Sequence, residues 1–105
     1  MSKTQFLYLD TLGWKSGKSH RIEIWYVEFN KRYYIISEHG EGAHWIQNIQ
    51  HNPNVKFSVS NKIIEGTARV VNSLAEAELA AQISNLMDSK YKWSQGSIVE
   101  IRPLG

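Results

Sequence analysis

Between His20 and Glu38 the chain carries two runs of β-branched and aromatic residues, HRIEIWYVEF and RYYIISE, separated only by Asn30 and Lys31. Runs of this kind read as strands. Asn tolerates the left-handed backbone that a two-residue hairpin turn demands. His20–Phe29 and Arg32–Glu38 are therefore expected to pair as the second and third strands of an antiparallel sheet. The arrangement returns further on. From Asn54 to Ser60, Val55, Phe57 and Val59 face one way while Lys56 and Ser58 face the other, the period of a half-buried strand. Asn61-Lys62 is predicted as a second tight turn. Ile63–Val71 (IIEGTARVV) is then a fifth strand, with Gly66 as a bulge or a point of close backbone approach.

Gln5–Asp10 predicts a first strand and Ser97–Arg102 a sixth, ended by Pro103. Between these, Trp45, Ile46 and Ile49 follow Gly40 and Gly42, which suggests a short helix stopped by Asn52-Pro53. Ser73-Leu74-Ala75-Glu76 has the spacing of a capping box. After it, Leu79, Ile83, Leu86 and Met87 fall on one face of a second helix. The order β-β-β-α-β-β-α-β runs mostly through hairpins. Closing such a sheet removes its exposed edges, so the expected fold is mainly β (α+β), a six-stranded barrel with two helices, in a single domain over residues 1–105.

Composition narrows the function classes. A net charge of +2 argues neither for nucleic acid nor for an acidic membrane surface. The chain has no cysteine, which removes disulfides, thiolate metal sites and thiol catalysis together. No apolar run has the length of a signal peptide or a membrane span, so the expectation is a soluble, cytoplasmic protein. The four tryptophans, Trp14, Trp25, Trp45 and Trp93, are more than a small core readily hides, so some are expected to line a pocket or an interface.

Three segments could carry chemistry. Gly13-Trp14-Lys15-Ser16-Gly17-Lys18-Ser19 has one residue too few between its glycines for a P-loop and runs into a strand instead of a helix. Its glycines and serines can still turn backbone N–H groups toward a ligand. Lys15, Lys18 and Arg21 add positive charge, making either a seat for a phosphate or a solvated loop. His39-Gly40-Glu41-Gly42-Ala43-His44 lacks zinc spacing and reads as a glycine-rich approach to the first helix. Lys90-Tyr91-Lys92-Trp93 suits a nucleic-acid stacking patch, the wall of a substrate pocket or a plain helix terminus. No nucleophile elbow or hydrolytic triad is visible.

Taken in order, Thr11-Leu12-Gly13-Trp14-Lys15-Ser16-Gly17-Lys18, His20–Val27, Trp45–Ile49, Asn52–Val55 and Gly66–Val70 resemble the deazaflavin-dependent nitroreductase family. That family is a branch of the pyridoxamine 5'-phosphate oxidase-like, FMN-binding split barrels. The resemblance implies a split β-barrel, a homodimer, and a deazaflavin coenzyme or FMN in a groove at the dimer interface. By position it implies that Lys15, Ser16, Gly17, Lys18 and Arg21 hold the cofactor phosphate. Ile22 to Ile24 run along the ring system with Ser37 on the neighbouring strand, Trp45 and Asn48 close the groove, and Tyr91 and Trp93 line the substrate side. One departure is Trp14, which stands where the family's usual loop has an arginine.

The implied activity is hydride transfer between the bound cofactor and a flat organic electron acceptor, such as a quinone, nitro compound or activated alkene. Such chemistry belongs to the cofactor and requires no acid–base pair from the protein, and no catalytic residue is assigned. The alternatives are a non-catalytic module that carries a flavin, haem or other small ligand on the same barrel, and a nucleic-acid-binding barrel. No metal, nucleic-acid partner or membrane association is expected.

Overall fold

The computed structural model describes residues 6–13, 17–38, 42–92 and 96–104. Its elements are β1 (Phe6–Leu12), β2 (Ser19–Trp25), β3 (Val27–Phe29), β4 (Arg32–Ser37), α1 (His44–His51), β5 (Asn54–Val59), β6 (Lys62–Val70), α2 (Ala77–Tyr91) and β7 (Ser97–Pro103). The strands form one antiparallel sheet in the order β2-β1-β5-β6-β7-β4-β3. The sheet curls into a half-barrel, with seven strands in place of the six expected.

The extra strand arises at Tyr26. The run from His20 to Phe29 looks continuous in composition, yet it pairs with two different partners. Up to Trp25 it pairs with β1, and from Val27 it pairs with β4. These are opposite ends of the sheet order, so the chain itself joins the two edges as the sheet curls round. Tyr26 belongs to neither ladder, and its backbone groups need other partners because unpaired polar groups are costly when withdrawn from water. The Tyr91 hydroxyl donates to the Tyr26 carbonyl at 2.6 Å and accepts from its N–H at 3.2 Å. Lys90 Nζ donates to the same carbonyl at 3.1 Å.

Both hairpin turns use two successive left-handed residues, as a type I′ turn requires. Asn30 and Lys31 have φ 57° and 64°, and Ser60 and Asn61 have 52° and 66°. The second turn therefore lies one residue earlier than Asn61-Lys62, and Lys62 opens β6 opposite Val59. The asparagine serves equally as the first or the second turn residue, so it could not phase the turn. Gly66 is a point of close approach: a Cβ there would sit 2.6 Å from the Arg102 carbonyl oxygen.

Two apolar clusters share the sheet. Leu7, Leu9, Ile35, Val55, Phe57, Val99 and Ile101 fill the concave side, closed by Ile46 and Ile49 of α1. On the other side Val27, Tyr34, Ile36, Val71 and Ile98 pack against Ala80, Ile83 and Met87 of α2. β4 is therefore buried on both faces, which explains its unbroken apolar run.

The start of α2 departs from the predicted capping box. The side-chain bonds lie in the turn before the helix, where Asn72, one residue before Ser73, accepts through Oδ1 from the N–H groups of Leu74 and Ala75 at 3.0 and 3.1 Å, while the N-cap of α2 is Glu76, without a side-chain cap bond. The Glu76 carboxylate accepts from the Asn72 N–H in return at 3.2 Å. The helix proper begins at Ala77. Among the described residues no helix is long and apolar enough to cross a membrane.

Candidate functional site

The curl of the sheet brings β2 toward β4 and the start of α1, and a cavity of about 580 Å3 opens between them. Its walls include Ile22 and Ile24 of β2, Ser37 at the end of β4, and Trp45 in the first turn of α1. Strand alternation turns Ile22 and Ile24 to the same side of β2. Phe6, Trp25 and Ile36 extend the apolar lining, and Glu23 and Glu38 are its carboxylates. This volume lies within the range of small-molecule pockets, which bury flat apolar ligands and orient them with a few polar groups.

Trp25 is held by an aromatic partner. Tyr91, at the end of α2, stacks on it with ring centroids 4.6 Å apart and planes within 1°. On its other side Trp25 meets Phe6 at 6.2 Å, its direct partner across the β1–β2 ladder. Lys90 Nζ lies 4.6 Å from the centre of the Tyr26 ring and 5.2 Å from that of Tyr91, a cation–π arrangement. Burial lowers the Lys90 pKa and raises those of Tyr26 and Tyr91. Tyr91 therefore acts on the cavity through Trp25 and Tyr26 and is not itself one of the lining residues.

The loop expected to seat a phosphate is built differently from a simple cationic loop. Gly17 adopts φ 72°, and its N–H donates to the Gly13 carbonyl at 2.8 Å. The Gly13 N–H donates across the loop to the Lys18 carbonyl at 2.8 Å. Gly17 thus contributes the turn, while its own N–H is spent inside the loop. Arg21 forms a two-point pair with Asp10, directly opposite on β1: Nε to Oδ1 at 2.8 Å and Nη2 to Oδ2 at 3.1 Å. The hydrogen bond to Asp10, with its charge, raises the Arg21 pKa. Next along this face the Tyr8 hydroxyl donates to Glu23 at 3.2 Å, and that bond raises the Tyr8 pKa.

Of the expected site residues, Ile22, Ile24, Ser37 and Trp45 come together around the cavity. Asn48 does not line it; buried in α1, it donates through Nδ2 to Thr11 Oγ1 at 3.0 Å and ties the helix to β1. Arg21 lies near the start of β2 and Lys18 immediately before that strand, both beyond the lining. Lys15, Ser16 and Trp93 lie outside the described residues, as do Trp14 and the His39-Gly40-Glu41 part of the histidine segment. Glu23 falls inside the expected Ile22 to Ile24 stretch, whereas Phe6, Trp25, Ile36 and Glu38 were not anticipated individually. The surplus of tryptophans was the available signal for Trp25, and Phe6 becomes legible only through its register with it. Among the described residues no three His, Asp or Glu side chains converge as a metal set.

The cavity is apolar and aromatic-walled, with Ser37, Glu23 and Glu38 as polar residues in its lining. No curated protein matches the sequence. In structure the chain is similar to an F420-H2 dependent reductase, FDR-A, with 23% identity, TM-score 0.64, and coverage of 93% of this chain and 94% of that one. It is also similar to HutZ, the heme storage protein from Vibrio cholerae, with 15% identity, TM-score 0.78, and coverage of 98% and 84%. A third similar structure is described as a domain-swapped dimer, with 22% identity, TM-score 0.65, and coverage of 93% and 80%. The sequence model of the family described as F420H(2)-dependent quinone reductase matches residues 1–100, and the chain accordingly belongs to that family.

Proposed function

We propose that this chain is an oxidoreductase that binds a deazaflavin coenzyme with its ring in the β2–β4–α1 cavity and passes a hydride to a flat organic acceptor such as a quinone. The observation that carries this reading is the cavity itself: about 580 Å3, walled by Ile22, Ile24, Trp25 and Trp45. Family membership supports the redox class and favours a deazaflavin over FMN. When bound, the coenzyme supplies the hydride chemistry.

The chain's own residues bind, orient and exclude water. Ile22 and Ile24 offer a flat apolar floor, Trp25 and Trp45 offer ring faces, and Ser37 supplies a hydroxyl at the wall. Trp25 is fixed by its stack on Tyr91, so this wall costs little ordering on binding. Lys15, Ser16, Lys18 and Arg21 are proposed to hold the phosphate, with Gly17 shaping the turn. Asp10 competes for Arg21 and tempers its contribution. Trp93 is proposed to face the acceptor, with Tyr91 behind the wall and Asn48 bracing α1. We place the working unit as a cytoplasmic homodimer; the domain-swapped dimer among similar structures supports the assembly.

The test is to incubate purified protein separately with F420 and with FMN, remove unbound ligand by gel filtration, and record the absorbance of the protein peak. Retention of F420, lost on Ile24→Glu, is expected. A peak without chromophore in both cases would refute the reading. A second reading, a carrier without turnover, is favoured by the likeness to a heme storage protein. Retained cofactor with no quinone reduction in a stopped-flow assay would select it.

A further inference from the structure

We propose a second ligand site, for a small molecule bearing a phosphate or carboxylate group, in the cleft that Arg32, Arg102 and Thr67 form on the convex side of the sheet. The cleft has a volume of about 290 Å3 and, among the described residues, shares no lining residue with the β2–β4–α1 cavity. Its lining also contains Arg69, Glu100 and Pro53.

Strand register creates the site. Thr67 of β6 lies directly opposite Arg102 of β7, and Tyr33 of β4 directly opposite Ile101. Arg32 precedes Tyr33 on β4 and Arg102 follows Ile101 on β7, so the two arginines flank the end of this ladder and both line the cleft. Like charges brought to one cleft repel. An anion bound between them would relieve that repulsion.

Among the described lining residues there is one carboxylate, Glu100, and its bonds are shared between Tyr34, Arg69 and Arg32. Glu100 is buried. Its Oε2 accepts from the Tyr34 hydroxyl at 2.7 Å, and its Oε1 from Arg69 Nε at 3.0 Å. Arg32 reaches Oε2 only at 3.4 Å through one nitrogen. Arg69 is occupied further by a two-point pair with Glu76 at 2.7 and 2.8 Å. When Glu76 is counted with the lining, one positive charge remains in excess. Arg32 retains most of its guanidinium donors, and Arg102 is exposed. Guanidinium forks match the oxygens of phosphate and carboxylate at two points, and the Thr67 hydroxyl adds a second type of donor. The volume is at the low end for small-molecule sites, which suits a ligand of few carbons.

The test follows the arginine side-chain N–H signals of the 15N-labelled protein by NMR during separate titrations with inorganic phosphate, malonate and sodium chloride at matched ionic strength. Saturable shifts at Arg32 and Arg102 with phosphate or malonate, absent with chloride, are expected, and the tighter of the two identifies the group recognised. Arg102→Gln should weaken that binding about tenfold or more, and Arg102→Lys, which keeps the charge but loses the fork, should weaken it less. Retention of the coenzyme should be the same in all three proteins. Shifts equal to those with chloride, or an affinity unaltered in Arg102→Gln, would overturn the proposal.

Discussion

Replacing Tyr91 by Phe removes one oxygen atom from the point where the chain leaves one sheet edge and joins the other. That oxygen makes two bonds to the Tyr26 backbone, donating at 2.6 Å and accepting at 3.2 Å. The Tyr26 carbonyl would keep Lys90 at 3.1 Å, whereas the N–H would lose this acceptor. Each lost neutral bond is worth about 1 kcal/mol, and a partly buried donor left unpaired costs about 1–3 kcal/mol. Because these quantities overlap, the expected loss is about 2–3 kcal/mol. For a domain near 100 residues this corresponds to a fall in Tm of roughly 8–20 °C. Phe retains the ring on Trp25, so the variant separates the hydroxyl from the stack. Tyr91→Leu should lose the stack as well, a further 0.5–1.5 kcal/mol or so. Urea unfolding is the appropriate assay, since an unchanged m-value with a lower midpoint identifies a stability change. If Tyr91→Phe unfolds within about 0.5 kcal/mol of the parent, the hydroxyl does not hold the junction and the reasoning fails; that threshold is the usual range of neutral surface changes.

Other consequences can be measured on the same material. Arg69 holds the Glu76 carboxyl down to about 2 from an ordinary 4.5, so the unfolded chain takes up that proton first as the solution is acidified. The stabilisation is complete above pH 4.5 and is lost as pH falls toward 2; urea midpoints should decline across that window, and Glu76→Gln should flatten the decline. Glu100 acts in the same direction: burial alone would raise its pKa, but the bonds from Tyr34 and Arg69 reverse this to a net lowering. Gly66→Ala places a methyl 2.6 Å from the Arg102 carbonyl oxygen; forcing that contact should cost about 1–3 kcal/mol, visible as a lower thermal midpoint. Arg21→Ala should weaken coenzyme retention about tenfold, the scale of one charge-assisted bond, and Asp10→Asn should strengthen it. Equal affinity in both variants, measured by equilibrium dialysis, would put the phosphate elsewhere.

Much of the fold was readable because its signals are local. Val55, Phe57 and Val59 are buried while Lys56 is exposed, as their alternation required. Asn30-Lys31 marks a turn through the backbone angles Asn tolerates, and Pro53 follows the end of α1 as expected, whereas the second turn lies at Ser60-Asn61, one residue before the expected Asn61-Lys62. Where the expectation slipped, the local signal was degenerate. Asn72 and Ser73 are both residue types whose side chains bond nearby backbone N–H groups, one position apart, and only the bonds made in the turn before α2 show that Asn72 does so. In the cavity, Ile22, Ile24, Ser37 and Trp45 were foreseen through a family pattern. Phe6 and Glu38 carry no such signature, because a lining residue is defined by its neighbours across space.

Alternation of side chains, turn residues and the absence of cysteine are properties of short segments, and they were enough to specify an antiparallel, hairpin-built, disulfide-free chain with two helices. The break at Tyr26, the joining of the two sheet edges and the meeting of Arg32 and Arg102 in one cleft belong to the tertiary structure alone. Each depends on which strands become neighbours and in what register. That choice is made by burying apolar faces against partners distant in sequence, and a segment of the chain taken by itself contains no record of it.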